Sequence, residues 1–355
     1  MAAFKLGLGL YAHMLNEDHY RFARQCGATH IIVHLVDYFA ASDLDADNQP
    51  VGGRGGWGMA GNSTERWTLP ALMNLKADVE RFGLEIAAIE NFDPAHWHDI
   101  LLDGPKKREQ FERLSQIIRN VGQAGIPIIG YNFSLAGVAS RITGPFARGG
   151  AMGVGMDGVD ETPVPEGMVW NMVYDQEAGN GALPTISHET LWQRVQAFLQ
   201  TLVPVAEEAG VRLAAHPDDP PAAFIRKQPR LVYQPGLYQK LIDLHPSKAN
   251  ALEFCLGSLA EMTEGDVYQA TEKHAKAGDI AYIHFRNVTG KVPNYQETFV
   301  DDGNIDMVKI VGILDDAGYD GVIIPDHTPL MTSDAPWHAG MAYAMGYMRA
   351  LQSMS

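Results

Sequence analysis

The chain has 355 residues, 46% of them hydrophobic, and a formal net charge of −16, so it can bury a large core while presenting an acidic surface. That surface excludes nucleic acid and anionic membranes as main partners, because phosphates need a basic face, and no apolar run approaches the ~20 residues of a membrane span. Cys26 and Cys255 are the only cysteines, and the start MAAFKLGLGLY lacks the basic opening and long apolar stretch of a secretory signal. A reducing cytoplasm without disulfides is therefore expected.

Buried strands and amphipathic helices alternate along the chain. FKLGLGL (4–10) predicts strand one, and a helix over 16–26 follows, with Asn16 as its cap ahead of an acidic first turn. HIIVHLV (30–36) predicts strand two. The segment 37–68 is too polar and Gly-rich for an element and sits where a βα loop belongs. A second helix runs from Pro70 to Phe82, strand three is LEIAAIE (84–90), and an aromatic, histidine-bearing loop comes next. Residues 105–124 carry a helical period through Phe111, Leu114, Ile118 and Val121, between Pro105 and Gly125. IPIIGYNF (126–133) is strand four. A second insertion, 134–187, is rich in Gly and Met, and a long helix over 188–209 starts from Ser187 as its cap. The last four strands are VRLAAHPDD (211–219), NALEFCLGS (250–258), IAYIHFRN (280–287) and GVIIPDH (321–327), with helices near 235–243, 266–277, 304–317 and 336–352. Eight strands and eight helices in strict alternation predict a (β/α)₈ TIM barrel. One domain over 1–355 is expected, with its two insertions at 37–68 and 134–187 over the same mouth.

Four metal-ligand side chains, His216, Cys255, His284 and Asp326, each close one of those last four strands. In a parallel barrel the carboxyl ends of the strands share one face, so these groups converge. Each has a plainer reading: a hydrogen-bonded histidine, a small buried cysteine, a carboxylate capping the last helix. Those readings would have to coincide at the same end of four consecutive strands. Together, imidazole, thiolate and carboxylate suit Mn²⁺, Fe²⁺, Co²⁺ or Zn²⁺ better than Mg²⁺ or Ca²⁺.

HPDDPP (216–221), FCLGS (254–258), IHFRNV (283–288), NIDMVKIVGILDDAGYDG (304–321) and IPDH (324–327) resemble, in order and spacing, the mannonate dehydratases, relatives of the xylose isomerase-like barrels. IIRNVGQAGIPIIGYNF (117–133) resembles the same family's approach to its fourth strand. The resemblance implies a hydro-lyase that removes water from a sugar acid such as D-mannonate to give a 2-keto-3-deoxy acid. It implies a catalytic divalent ion, usually manganese, on His216, Cys255, His284 and Asp326. It places His327 on a residue associated with proton transfer, Arg141 on the arginine of a Trp-Thr-Arg motif, and Arg286 with Asn287 on an Arg-Asn pair after the third ligand. Related barrels associate through their helical faces, and a homo-oligomer is the expected assembly. Three stretches depart from the pattern. Val138 and Ala139 stand where the family has Asp-Trp, PDHTPLMTSDAPWH lacks the arginine that follows the family's Asp-His-Gly, and the two insertions have no counterpart.

The chemistry supports these assignments on its own terms. Taking a proton next to a carboxylate requires stabilisation of the developing enediolate, which a divalent Lewis acid supplies. A group titrating near neutrality must carry protons; His327 is the candidate, the alternative being a residue that only orients Asp326. Arg141 and Arg286 are candidates to grip a substrate carboxylate bidentately, or else are ordinary charges. Glu253, two residues before Cys255, points to the same side of its strand. Tyr131 and Asn132 are expected to line the pocket. Asp218 and Asp219 orient ligands or shape a Pro-rich turn. Trp57, Trp67, Trp97 and Trp170 are loop aromatics that stack on a sugar or anchor their loops. GGRGGWG (52–58) lacks the strand and helix of a phosphate cradle, so no nucleotide is assigned. Two rival functions use the same barrel: a metal-dependent sugar isomerase or epimerase, and a sugar-acid binding protein without turnover. Carboxylate-rich ligation marks the former, and Cys255 with the Asp326-His327 dipeptide favours the dehydratase.

Overall fold

The computed structural model describes residues 4–40, 49–51, 56–61 and 64–354. Eight parallel strands close a barrel: β1 (Lys5–Leu10), β2 (His30–Val33), β3 (Glu85–Glu90), β4 (Ile128–Tyr131), β5 (Arg212–Ala215), β6 (Asn250–Cys255), β7 (Ile280–His284) and β8 (Val322–Ile324). Each strand pairs with its neighbours in sequence, and β8 closes on β1 through Lys5 to Val322 and Leu6 to Ile323. Strand two stops at Val33, three residues before the sequence pattern predicts, and strand four occupies the middle of its predicted run.

Eight helices surround the strands: α1 (Glu17–Gln25), α2 (Leu69–Glu80), α3 (Lys107–Gln123), α4 (His188–Ala209), α5 (Gly236–Leu244), α6 (Val267–Ala277), α7 (Met307–Asp316) and α8 (Pro336–Met354). The expected caps operate. Asn16 accepts a hydrogen bond from the His19 amide, and Ser187 accepts one from Thr190, each satisfying an orphan helix donor. Gly210 ends α4 in the left-handed region at φ 68°, where a side chain is disfavoured. Two short helices, His98–Leu102 and Leu256–Glu261, were not predicted.

The insertions are ordered where described. Residues Ile142–Ala147 and Ala151–Asp157 form a hairpin, which joins a second hairpin after β7, Asn287–Lys291 and Asn294–Thr298, in one antiparallel four-stranded sheet. The glycines that hid the first hairpin from the sequence reading allow its close packing: a side chain on Gly155 would run into the Tyr295 carbonyl. The hairpin after β7 is a third insertion that the strand pattern did not reveal. The loops after β2 and β4 are tied to each other by backbone hydrogen bonds from Trp57 to the Asn171 carbonyl (2.7 Å) and from Val173 to the Gly58 carbonyl (3.0 Å). Part of GGRGGWG, residues 52–55, lies outside the described residues.

Candidate active site

The register of the barrel brings the ligand residues together. Cys255 and His284 are direct partners across the β6–β7 ladder, and the His216 amide extends the β5 edge by donating to the Tyr131 carbonyl at 2.8 Å. One ligand atom from each of His216, Cys255 and His284 lies within 4.8 Å of the others, the span of a shared coordination sphere. His216 Nδ1 contacts the Pro217 carbonyl at 2.6 Å. A carbonyl can only accept, so Nδ1 carries the hydrogen and Nε2 is the free donor atom, the usual arrangement of a ligating histidine. Both nitrogens of buried His284 lack a hydrogen-bond partner among the described residues, which leaves them available to an ion.

Asp326 stands at the edge of this trio. It follows β8 in the left-handed region at φ 66°, a conformation that costs a non-glycine residue about 1–3 kcal/mol and tends to persist at functional sites. Its Oδ2 lies 3.5 Å from His284 Nδ1, 3.4 Å from Arg286 Nε and 3.3 Å from His327 Nε2. The three candidate ligands on or beside β5, β6 and β7 therefore cluster, and the fourth contacts His284 from beside them.

Electrostatics fit a cation at this point. Burial opposes ionisation of Cys255, but the Arg286 guanidinium and the neighbouring His216 and His284 imidazoles hold the thiol well below its usual range, as a thiolate. Burial likewise disfavours a charged His216, yet the adjacent Cys255 and the charge of Glu253 raise it to about 9. His284 is pushed up as well, by Asp326 and Glu90 against burial. The negative charge that draws protons onto these imidazoles is what a divalent ion would neutralise. Ions compete with those protons, so the affinity for a divalent cation is expected to climb as pH rises toward about 9, with proton release on binding. Calorimetric titration in buffers of different ionisation enthalpy measures both. An affinity flat across that range contradicts the assignment.

The remaining predicted residues separate into two groups. His327 and Arg141 line the cavity above the ligands. His327 Nδ1 meets Glu297 Oε2 at 2.7 Å and Gln49 Nε2 at 2.8 Å, and Arg141 Nη1 lies 3.7 Å from Glu297 Oε1. Arg286 does not reach the cavity, contrary to the expectation that it grips a substrate. Its guanidinium runs behind Cys255, over Gly257, where any side chain would collide with Nε. There it donates to Asp219 Oδ2 (2.6 Å), Glu297 Oε1 (2.5 Å) and Ser258 Oγ (2.9 Å). With Cys255 Sγ at 3.4 Å, these partners engage both of its Nη groups. Its place is to fix Asp219, Glu297 and the thiolate relative to one another.

Sequence reasoning missed Glu297 and Glu90. Glu297 sits on the unforeseen hairpin and receives His327, Gln49 and Arg286. Glu90 ends β3 and faces His34 Nε2 at 3.6 Å and His284 Nε2 at 3.4 Å; the signal was visible, since LEIAAIE closes on a carboxylate. Asn132 lines the cavity, whereas the neighbouring Tyr131 packs outward against Phe198. Asp218 shapes the turn, accepting from the Leu231 and Val232 amides and pairing with Arg230, while Asp219 lines the cavity. Trp57 and Trp170 form one cavity wall with Tyr38; Trp67 and Trp97 belong to the core.

A closed parallel barrel with polar and ionisable groups gathered beyond the carboxyl ends of its strands defines a (β/α)₈-barrel enzyme. The model of the D-mannonate dehydratase family matches residues 57–143 and 167–354, most of the chain, and the chain belongs to that family of hydro-lyases. The mannonate dehydratase of Streptococcus pneumoniae (strain 70585) is 35% identical over 278 residues, covering 74% of this chain and 75% of that protein. Mannonate dehydratase 2 of Halalkalibacterium halodurans is 30% identical over 274 residues, covering 74% and 79%. The crystal structure of mannonate dehydratase from Streptococcus suis serotype 2 superposes with a TM-score of 0.76 at 27% identity, covering 100% of this chain and 94% of that one. An L-ribulose 3-epimerase, at 15% identity and a TM-score of 0.58, shares the fold alone. Residues 144–166, holding most of the first hairpin, fall outside the family match. Among the described residues no helix is long and apolar enough to cross a membrane.

Proposed function

We propose that the chain dehydrates a polyhydroxylated sugar acid such as D-mannonate to a 2-keto-3-deoxy acid, using a divalent cation, Mn²⁺ foremost, held by His216, Cys255, His284 and Asp326. The observation that carries this reading is the convergence of His216, Cys255 and His284 within 4.8 Å, beside a cavity lined by Arg141 and His327. When bound, the cation supplies Lewis-acid stabilisation to the substrate carboxylate as charge develops on it, worth several kcal/mol.

The chain's own residues do the rest. Arg141 faces the cavity as the cation that pairs with the substrate carboxylate and sets its orientation. Glu297 accepts the Nδ1 hydrogen of His327, which leaves Nε2 as the working atom. His327 takes the proton from the carbon beside the carboxylate and, once protonated, returns it to the departing hydroxyl, so that one water leaves and the enol relaxes to the keto acid. Tyr38, Trp57 and Trp170 form an apolar wall that excludes water and presents ring faces to the carbon chain. A reducing cytoplasm is the compartment we expect, where Cys255 stays available as a thiolate donor. A homo-oligomer is the assembly we expect, to be measured by light scattering.

The test is incubation of the manganese-loaded protein with a panel of aldonates and related sugars while following 2-keto-3-deoxy products. We expect dehydration of at least one aldonate, abolished by a chelator. Epimerisation of a ketose without loss of water, or binding without turnover across the panel, contradicts the proposal.

A further inference from the structure

On the floor of the same cavity, Glu90 at the end of β3 and Glu253 on β6 face each other across His284. One ligand atom from each of these three residues lies within 4.8 Å of the others. His284 presents opposite nitrogens to two surroundings: Nδ1 is 3.5 Å from Asp326, while Nε2 is 3.3 Å from Glu253 Oε1 and 3.4 Å from Glu90 Oε2. Glu253 is fully buried, and neither of its carboxylate oxygens meets a donor in hydrogen-bonding geometry among the described residues. The nearby Tyr282 hydroxyl is directed at Glu90 Oε2, at 3.5 Å. Gly130 on β4 keeps the space open, since a side chain there would strike both Glu253 Oε2 and the Tyr282 hydroxyl. A buried carboxylate with neither oxygen hydrogen-bonded, beside a second carboxylate, calls for positive charge, which a proton on His284 or a bound cation supplies.

We propose that Glu90, Glu253 and Nε2 of His284 form a second divalent-cation site on the barrel floor, separate from the one containing Cys255. It rests on the reading above only through the shared imidazole, and its other donors are its own. Two carboxylates and one nitrogen make a harder donor set than the thiolate cage above, suited to Mn²⁺. Glu90, Glu253 and His284 all line the cavity, which gives the ion a path in. Filling both sites makes the imidazole a bridge and requires both ring protons to leave, so the second ion binds more weakly and with additional proton release.

Titration of the full-length chain with Co²⁺ separates the sites, because only the cage containing Cys255 gives a sulfur-to-cobalt charge-transfer band. Two equivalents are expected to bind, by elemental analysis after dialysis at saturating metal, and only the tighter one to develop the band. Glu253→Gln, nearly isosteric, should retain the banded equivalent and lose the other; the wild-type titration alone decides if that variant misfolds. One equivalent in the wild-type chain, unchanged in Glu253→Gln, overturns the proposal and leaves a shared proton between the carboxylates. One equivalent without the band, lost in Glu253→Gln, supports the floor site and contradicts the thiolate site instead.

Discussion

Cys255→Ser is expected to remove the ion bound by the thiolate cage and the dehydratase activity together, and His284→Ala to do so at every cation position it touches. Cys255 is the sharper test. Serine keeps nearly the same volume in a fully buried position but cannot supply a thiolate, so the fold persists while the softest donor is lost. Loss of an outer hydrogen-bonding partner typically weakens a metal site about 10–100-fold, and loss of a direct ligand should exceed that. With several kcal/mol of charge stabilisation gone and each ~1.4 kcal/mol worth a factor of ten, turnover should fall at least about 10³-fold. Equilibrium dialysis and product assay on the same preparation measure both. A Cys255→Ser chain that keeps full activity while holding no ion separates the chemistry from the site and refutes the link.

His327→Asn should behave differently. The asparagine amide can still donate to Glu297, which preserves the hydrogen bond that the Nδ1 side of the ring makes at 2.7 Å, and none of the three clustered ligands is altered. Metal content should stay at the wild-type level. Turnover should drop by about 10²–10⁴-fold, the range for loss of a general acid–base group. A fully active variant would remove His327 from proton transfer and return it to the role of orienting Asp326, which its Nε2 approaches at 3.3 Å. The two variants thus form a pair, one losing ion and activity together, the other losing activity alone.

The C-terminal half of the site was legible in the sequence for a definite reason. His216, Cys255 and His284 each lie at the end of a short, largely apolar run with a sharp stop, and a closed parallel barrel sends all such ends to one mouth. Period-two alternation then placed Glu253 on the same face as Cys255. Alternation does not reach Arg286, two residues beyond His284, because β7 ends at His284. Beyond that point the chain turns and the guanidinium passes behind Cys255.

What the sequence concealed lies in the insertions. Barrel periodicity fixes where strands go but says nothing about the path of a long βα loop, so Gln49, Trp170 and Glu297, all at or around His327 and the cavity, could not be placed relative to it. Glycine density made residues 142–157 read as irregular although they pair as a hairpin. The donor cluster is built from the barrel, whereas Arg141, Tyr38, Trp57 and Trp170 come from the insertions and line the cavity above it.

The most direct test of the central claim is anomalous diffraction from crystals of the wild-type protein grown with Mn²⁺, recorded with manganese contributing to the signal. A peak is expected within bonding distance of Cys255 Sγ and an imidazole nitrogen each from His216 and His284. A protein saturated with manganese that shows no peak in contact with Cys255 would contradict it.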